Sequence, residues 1–127
     1  MILGIGVDIV EVERIRLAAD RYGGRFVRRV FTEEEAAYCR RSAHPEQRFA
    51  TRFAAKEAAL KALGVGWTQG VQFTEVEIVN NELGAPSVVF RGRALELARA
   101  LGAERIHVSM THHREFAIAQ VLLESNG

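Results

Sequence analysis

The sequence predicts an α+β domain in which a mainly antiparallel sheet packs on one long helix. Three observations support this prediction: an Ile- and Val-rich stretch at residues 2–9, an uninterrupted helical pattern at residues 45–63, and two hairpin-like stretches in the second half. Consecutive strands that are joined by a short turn pair in the antiparallel direction. An antiparallel sheet with helices packed against it is typical of the α+β class. The 127 residues fit a single domain, 1–127.

After the opening strand, the first half of the chain is predicted to be helical. The Gly23-Gly24 pair interrupts the first helical pattern, and Thr32 followed by Glu35 forms a capping box that opens a later helix. Pro45 is well placed at the start of the long helix. In chain order, the predicted helices of this half cover residues 11–22, 33–41 and 45–63, and a further helical turn covers residues 25–30.

In the second half, the hydrophobic pattern changes to the alternation that is typical of strands. Gly102 marks the end of a further helical stretch. The predicted strands cover residues 71–79, 87–90, 106–111 and 116–123, with a helix at 93–101. The predicted order is therefore β-α-α-α-β-β-α-β-β.

Composition excludes several classes of protein. Hydrophobic residues make up 48% of the chain and charged residues 26%, which excludes wholesale disorder. No apolar run approaches the roughly 18 residues of a membrane-spanning helix, and the first residues lack the basic start of a secretory signal. The single cysteine, Cys39, has no partner for an internal disulfide, so we expect a half-buried packing residue and a reducing, cytoplasmic location.

Positive charge concentrates near the N-terminus. The net charge is only +1, yet residues 14–29 contain six arginines and a single acid. Such a segment suits an acidic partner, a phosphate or a nucleic acid. The two lysines, Lys56 and Lys61, both lie in the long helix, although every other basic residue is arginine. Because a compact ammonium binds oxygen differently from a planar guanidinium, this helix is a candidate site.

One acidic residue of the long helix lies on its apolar stripe. Phe49, Phe53 and Glu57 follow each other at intervals of four, so Glu57 is expected to turn inward. A buried carboxylate needs a cation, a metal or hydrogen bonds. Lys61 lies four residues further on and offers an ordinary helical ion pair. An ion pair and a metal site are both compatible with this pattern.

Asp8 lies at the end of the first predicted strand, after Gly4 and Gly6, and glycines in a strand let another backbone or a ligand approach closely. An acid at this place is often only the cap of the following helix. Alternatively, Asp8 and Glu57 together supply two oxygens for Mg²⁺. The two acids are 49 residues apart and form no motif, so both interpretations stay open.

Two patterns around the long helix fit phosphate binding as well as ordinary structure. Gly64-Val65-Gly66 follows Lys61 by about one turn, and glycines here either bind phosphate through their amides or terminate the helix. Arg52 and Lys56 stack four residues apart, and such like charges repel unless an anion lies beside them.

A predicted strand near the C-terminus has one polar face. His107, Ser109 and Thr111 share this face, which either lines a cleft or contacts solvent. His112 and His113 follow at the turn, but their spacing does not match a zinc site.

Three segments carry a resemblance to a known family. They are Gly4-Ile5-Gly6-Val7-Asp8-Ile9, Arg52-Phe53-Ala54-Ala55-Lys56-Glu57-Ala58-Ala59-Leu60-Lys61-Ala62 and His107-Val108-Ser109-Met110-Thr111-His112. Together they resemble the holo-[acyl-carrier-protein] synthases, the small bacterial class of 4′-phosphopantetheinyl transferases. The resemblance covers nearly the whole chain, and the middle segment is its most specific part.

The resemblance implies an activity, an assembly and a catalytic site. The family transfers 4′-phosphopantetheine from coenzyme A to a serine of an apo acyl carrier protein and releases adenosine 3′,5′-bisphosphate. Its members share the 4′-phosphopantetheinyl transferase fold and form trimers with the coenzyme between neighbouring subunits. Asp8 and Glu57 match the Mg²⁺ ligands, and Lys61 matches the group beside the reacting phosphate. We expect Glu57 to act as base for the serine, directly or through a metal-bound water.

The resemblance also implies residues for the coenzyme and for the carrier protein. Arg52 and His107 match positions that contact the nucleotide or its phosphates, and Gly64 and Gly66 match the loop near the diphosphate. The basic segment after the first strand matches the surface that docks the acidic carrier protein, with Arg14, Arg21 and Arg25 as contacts. The resemblance implies neither a membrane nor a nucleic acid as partner.

Two other functions stay open at this point. Small α+β domains with basic helices include non-catalytic RNA- or nucleotide-binding modules. Against such a module, the arginines share no helix face with aromatic residues suited to base stacking. A different Mg²⁺-dependent phosphotransferase would use the same acidic and basic residues.

Overall fold

Two antiparallel sheets and five helices form the fold in the computed structural model, which describes residues 1–21, 24–65 and 70–127. The strands are β1 (Ile2–Glu11), β2 (Val76–Asn80), β3 (Pro86–Phe90), β4 (Arg105–His112) and β5 (Phe116–Glu124). The helices are α1 (Val12–Arg21), α2 (Arg25–Val30), α3 (Glu33–Arg40), α4 (Pro45–Leu63) and α5 (Gly92–Leu101). The α+β class is confirmed. The predicted order of elements is confirmed except that residues Arg25–Val30 form a helix of their own, α2, so four helices and not three precede β2.

The strands are divided between two sheets. In the larger sheet, β5 lies between β1 and β4, while β2 and β3 form a separate hairpin. The strand predicted over residues 71–79 is wrong at its start, because Phe73–Glu75 form a 3-10 turn and β2 begins only at Val76. The Glu75 carboxylate accepts a hydrogen bond from the backbone N–H of Arg93, so this turn caps the start of α5.

Helix α4 packs directly on the backbone of β1. A methyl group built on Gly4 would collide with the backbone carbonyl of Ala62, and one on Gly6 with that of Ala58. The two glycines therefore let the backbone of α4 approach β1 closely, which explains why this strand contains glycine at both positions. Ala58 and Ala62 complete the close contact from the helix side because their side chains are small.

Substituting Gly6 by Ala is expected to lower the free energy of unfolding by about 3 kcal/mol, since the rigid helix backbone cannot yield to the added methyl. Gly102→Ala provides the control: its φ of 83° strains a side chain there by roughly 1–2 kcal/mol, but no neighbouring group of the described residues lies within 4 Å of the new methyl. Urea denaturation of both variants measures the difference. Equal losses in the two variants would contradict the close packing of α4 on β1.

The predicted helix boundaries follow from local chemistry. Thr32 and Glu35 form the capping box: the Thr32 hydroxyl accepts from the Glu35 N–H at 3.1 Å, and the Glu35 carboxylate accepts from the Thr32 N–H at 2.9 Å. Pro45 is the first residue of α4, and Gly64 ends this helix with a φ of 75°. The predicted end of the first helix at Tyr22 and its break at Gly23 lie outside the described residues.

Cys39 is completely buried, so the expectation of a half-buried residue is wrong. It lies on the inner side of α3, where burial raises the pKa of its thiol to about 11. A thiol that stays protonated and has no access to solvent is a packing residue. Among the described residues, no helix combines the length and the apolar character that crossing a membrane requires.

Candidate active site

Asp8, Glu57 and Lys61 come together where β1 passes over α4. The Lys61 ammonium donates to the Asp8 carboxylate and to the backbone carbonyl of Val7, each at 3.1 Å. Asp8 shares the inner face of β1 with Gly6, which directs its carboxylate to the helix. Since β1 continues to Glu11, Asp8 lies inside the strand and does not cap α1.

Glu57 and Asp8 are two carboxylates that influence each other. Glu57 is half-buried, and this burial, followed by the negative charge of Asp8, raises its pKa, while the Lys61 ammonium acts in the opposite direction. Two acids placed this way favour a bound cation, because the cation stabilises both charged forms.

The donor set fits Mg²⁺. Mg²⁺ is commonly held by one or two carboxylates, with waters and substrate phosphates completing its shell. Asp8 and Glu57 offer two such carboxylates, and within residues 1–21, 24–65 and 70–127 no three His, Cys, Asp or Glu side chains cluster as a fuller protein cage would need. An ion at this place would therefore depend on substrate oxygens for the rest of its ligands.

Gly64 lies at the end of α4, one turn beyond Lys61. Its N–H donates to the Lys61 carbonyl at 3.0 Å, and the Val65 N–H donates to the Leu60 carbonyl at 3.1 Å. Both amides thus complete hydrogen bonds at the C-terminal end of α4. Among the described residues, no neighbouring group lies within 4 Å of where a Cβ of Gly64 would be, so the surface there is open. Gly66, expected beside it, lies outside the described residues.

Lys56 points away from this site into the interior. It is completely buried, and its ammonium lies 2.7 Å from the Glu35 carboxylate. Burial lowers the pKa of Lys56, and the charge of Glu35 opposes that shift. Glu35 is thus the anion that allows the stacked charges of Arg52 and Lys56 to coexist.

Arg52 is also buried, and it lines a cavity of about 370 Å³ between α4, the β2–β3 hairpin and β4. Its guanidinium stacks 4.1 Å from the centre of the Tyr38 ring and bonds the Asn80 side chain. Its Nε is buried and has no hydrogen-bond partner among the described residues. Arg48 stacks on the same ring at 4.3 Å. Sequence reasoning missed Arg48 and Tyr38, although the spacing of Arg48 and Arg52 by one helical turn was a usable signal.

His107 lies on the opposite face of the large sheet from Asp8. The register of β4, β5 and β1 places His107, Ser109 and Thr111 together on the outer face, as predicted, and all three are exposed. The His107 ring is 2.9 Å from the Glu124 carboxylate, and this hydrogen bond lowers the pKa of Glu124. A single chain therefore does not bring His107 together with Asp8, Glu57 and Lys61.

The predicted docking arginines are exposed on α1 and α2. Arg14 and Arg21 are two helical turns apart on one face of α1, with the half-exposed Leu17 between them, and Arg25 begins α2. Within the described part of the chain, none of the three arginines forms an ion pair. Arg16, by contrast, is paired with Glu13 and Asp20, so it offers less charge to a partner.

Comparison with known proteins places the chain in a family. Residues 4–121 match the 4′-phosphopantetheinyl transferase superfamily. A curated relative from Koribacter versatilis, named holo-[acyl-carrier-protein] synthase, is 47% identical over 124 residues, which covers 98% of this chain and 99% of the relative.

Solved structures agree with this placement. The crystal structure of holo-[acyl-carrier-protein] synthase from Neisseria meningitidis is 36% identical, with a TM-score of 0.87 over 98% of this chain and 100% of that chain. The synthase from Bacillus anthracis, solved in complex with CoA (3′,5′-ADP), is 36% identical, with a TM-score of 0.81 over 99% of both chains. This chain therefore belongs to the holo-[acyl-carrier-protein] synthases of the 4′-phosphopantetheinyl transferase superfamily.

Proposed function

We propose that this chain transfers 4′-phosphopantetheine from coenzyme A to a serine of apo acyl carrier protein and releases adenosine 3′,5′-bisphosphate. The observation that carries the proposal is the convergence of two carboxylates, Asp8 and Glu57, with the Lys61 ammonium. The relatives named holo-[acyl-carrier-protein] synthase, together with the coenzyme A complexes of their solved structures, support the same activity.

In the proposed reaction, the serine hydroxyl attacks the β-phosphorus of the coenzyme A diphosphate. The bond between this phosphorus and the bridging oxygen breaks, and the oxygen leaves with adenosine 3′,5′-bisphosphate. Glu57 accepts the serine proton, directly or through a bound water. Lys61 donates to the leaving oxygen, where negative charge develops.

Asp8 and Glu57 would hold Mg²⁺ in this proposal. The bound ion supplies positive charge that offsets the charge of the diphosphate. Phosphoryl transfers of this kind depend mostly on positioning and charge neutralisation, so the protein needs few groups that change protonation state. Lys61 adds a fixed positive charge, and its bond to Asp8 orients it toward the same place.

Coenzyme A titration by calorimetry, with and without Mg²⁺, tests the proposal against an RNA-binding function. We expect coenzyme A to bind and its affinity to increase when Mg²⁺ is present, while an RNA gel shift with the same protein shows no complex. Binding of RNA without binding of coenzyme A would contradict the transferase and favour the nucleic-acid module.

The nucleotide half of coenzyme A is proposed to contact residues of a neighbouring subunit. The proposed nucleotide contacts are Arg52, whose buried Nε has no hydrogen-bond partner among the described residues, and His107 on the outer sheet face. Gly64 is proposed to lie near the diphosphate. Within one chain, His107 faces away from Asp8. A single site that contains both residues therefore needs His107 from one chain and Asp8 from another. A homotrimer with sites between subunits satisfies this requirement.

The outer face of the large sheet supports assembly. Ile5, Val7 and Ile9 of β1 are each more than half exposed, and Ile9 pairs with the exposed Ile118 of β5. A continuous apolar face of this kind indicates a protein interface. Sedimentation equilibrium is expected to give three times the mass of one chain, and Val7→Glu is expected to give smaller species. A monomeric wild type would contradict the shared site.

The arginine face of α1 and α2 is proposed to dock the acidic carrier protein. Arg14, Arg21 and Arg25 supply exposed positive charge, and Leu17 supplies an apolar contact between the first two. Such a face accelerates encounter with an acidic protein and is weakened by salt. The proposal includes a cytoplasmic location for this chain, where carrier protein and coenzyme A would be available.

Charge reversal at Arg14 is expected to raise the KM for carrier protein about tenfold or more while the KM for coenzyme A stays within about twofold, because only the carrier contacts α1. Arg99→Glu is the matched control, since it makes the same charge change on the exposed side of α5. Steady-state kinetics with each substrate varied in turn measures both values. Equal effects of Arg14→Glu on the two substrates would contradict docking at α1.

A further inference from the structure

Arg52 carries a buried positive charge that no carboxylate pairs with directly, within residues 1–21, 24–65 and 70–127. Only 3% of the residue is exposed, yet none of the ion pairs among these residues includes it. The neighbouring buried cation, Lys56, has the Glu35 carboxylate at 2.7 Å. Because a charge taken out of water needs compensation, the surroundings of Arg52 suit an anion from outside the chain.

The groups that contact the Arg52 guanidinium are neutral. The guanidinium stacks 4.1 Å from the centre of the Tyr38 ring, and one of its Nη atoms donates to the side-chain oxygen of Asn80. Its Nε makes no hydrogen bond to a described residue. The guanidinium is therefore fixed in place while its charge and part of its donor capacity stay unused.

Asn80 connects Arg52 to the turn between β2 and β3. The amide nitrogen of Asn80 donates to the Gly84 carbonyl at 2.9 Å, so both ends of this amide have a partner. The side-chain oxygen of Asn81, the next residue, accepts from two backbone N–H groups of the same turn, each at 2.9 Å. Asn80 thus holds the guanidinium against a turn whose own backbone is fixed by hydrogen bonds.

The cavity of about 370 Å³ beside Arg52 has no acidic residue in its described lining. Arg48 and His112 lie on its wall together with Arg52, and Asn80 and Gly84 line it from the hairpin. An aspartate in place of Asn80 would form a charge-assisted bond with the guanidinium and neutralise it. Asparagine has the same shape and supplies the hydrogen bond without the negative charge.

We propose that Asn80 is a positioning residue, which holds Arg52 by a neutral oxygen so that the buried guanidinium keeps its positive charge for a phosphate of the nucleotide. This inference rests on the proposed function, in which Arg52 contacts the nucleotide half of coenzyme A. Affinity for the nucleotide then depends on the side chain at position 80 being uncharged, and not only on its hydrogen bonds within the hairpin.

Three variants test this role. Asn80→Asp keeps the size of the side chain and the oxygen that accepts from Arg52 but adds a negative charge, whereas Asn80→Ala removes the contact and leaves the charge of Arg52 unpaired. Asn81→Asp is the matched control, since it makes the same charge change in the same turn and retains an oxygen for the two N–H groups.

Calorimetry measures the Kd of each variant for adenosine 3′,5′-bisphosphate, the nucleotide part of coenzyme A. Circular dichroism and thermal melting establish that the variants are folded at the assay temperature, and sedimentation equilibrium establishes that their assembly matches that of the wild type. All measurements use the full chain.

We expect the Kd to rise about tenfold or more in Asn80→Asp and to stay within about threefold of wild type in Asn81→Asp, because losing a hydrogen bond to a charged group has effects of this size. Asn80→Ala should lie between them. A role confined to holding the hairpin predicts the reverse order, since aspartate resembles asparagine more closely than alanine does. A folded Asn80→Asp that binds as Asn81→Asp does, or binds more tightly than Asn80→Ala, would overturn the inference.

If Asn80→Asp does not fold, Asn80→Glu and Asn80→Gln replace it, because this pair differs in charge and not in size. We expect Asn80→Glu to bind the bisphosphate about tenfold more weakly than Asn80→Gln, and equal Kd values would overturn the inference. The proposed function is judged separately by the wild type: a wild type that transfers no phosphopantetheine contradicts the function, whereas an active wild type with an unaffected Asn80→Asp contradicts only the role of Asn80.

Discussion

Replacing Lys61 by arginine is expected to reduce turnover on the order of 10²–10³-fold, which corresponds to a loss of about 3–4 kcal/mol in transition-state stabilisation. The charge is retained in this variant, but the shape is not. In the wild type, the Lys61 ammonium donates to both the Asp8 carboxylate and the Val7 carbonyl, each at 3.1 Å. A guanidinium spreads its donors over a rigid planar fork, so it approaches a single leaving oxygen less closely than a compact ammonium.

The fold should survive this substitution. Lys61 is about half exposed, with a side-chain exposure of 54%, so a larger head group finds room in solvent. Circular dichroism and thermal melting therefore serve as the control, with turnover measured at saturating coenzyme A and carrier protein. Turnover near that of the wild type in a folded Lys61→Arg would contradict the role of a compact ammonium at the leaving oxygen.

Glu57→Gln is expected to reduce turnover by about 10²–10⁴-fold, because it removes the proposed acceptor of the serine proton while keeping the size of the side chain. The variant also removes one of two proposed Mg²⁺ ligands. The Mg²⁺ concentration that gives half-maximal turnover should therefore rise. Both quantities come from one Mg²⁺ titration of the initial rate.

Asp8→Asn separates the two roles of Glu57. It removes the other proposed ligand, so the Mg²⁺ requirement should rise here too, but it leaves the proton acceptor in place. Its loss of turnover at saturating Mg²⁺ should be smaller than that of Glu57→Gln. Turnover of Glu57→Gln within about threefold of wild type would exclude Glu57 as the base, since such a loss is far below that of a general base.

The sequence was informative wherever chemistry is local. The capping box of Thr32 and Glu35, the proline at the start of α4 and the glycine at its end each predict a helix boundary from neighbouring residues, and the structure confirms them. The apolar stripe of α4 correctly placed Glu57 in a half-buried setting. The alternation of residues 107–111 correctly placed His107 on a polar face.

Long-range contacts could not be predicted in the same way. The sequence placed both lysines on α4, but it did not show that Lys61 is exposed beside Asp8 while Lys56 is buried against Glu35. Only the packing of α3 against α4 distinguishes them, and no local pattern encodes that contact. Likewise, the strand predicted from residue 71 begins later than expected. Glu75 lies in a turn and caps α5 by accepting a hydrogen bond from the N–H of Arg93, eighteen residues further along the chain.

Mass spectrometry of an apo carrier protein after incubation with this chain, coenzyme A and Mg²⁺ tests the transfer most directly. The carrier is expected to gain about 340 Da, the mass of the phosphopantetheine arm, on a single serine. The gain should require Mg²⁺ and should be strongly slowed with Glu57→Gln. A carrier of unchanged mass after incubation with the folded wild-type protein would contradict the proposed transferase activity.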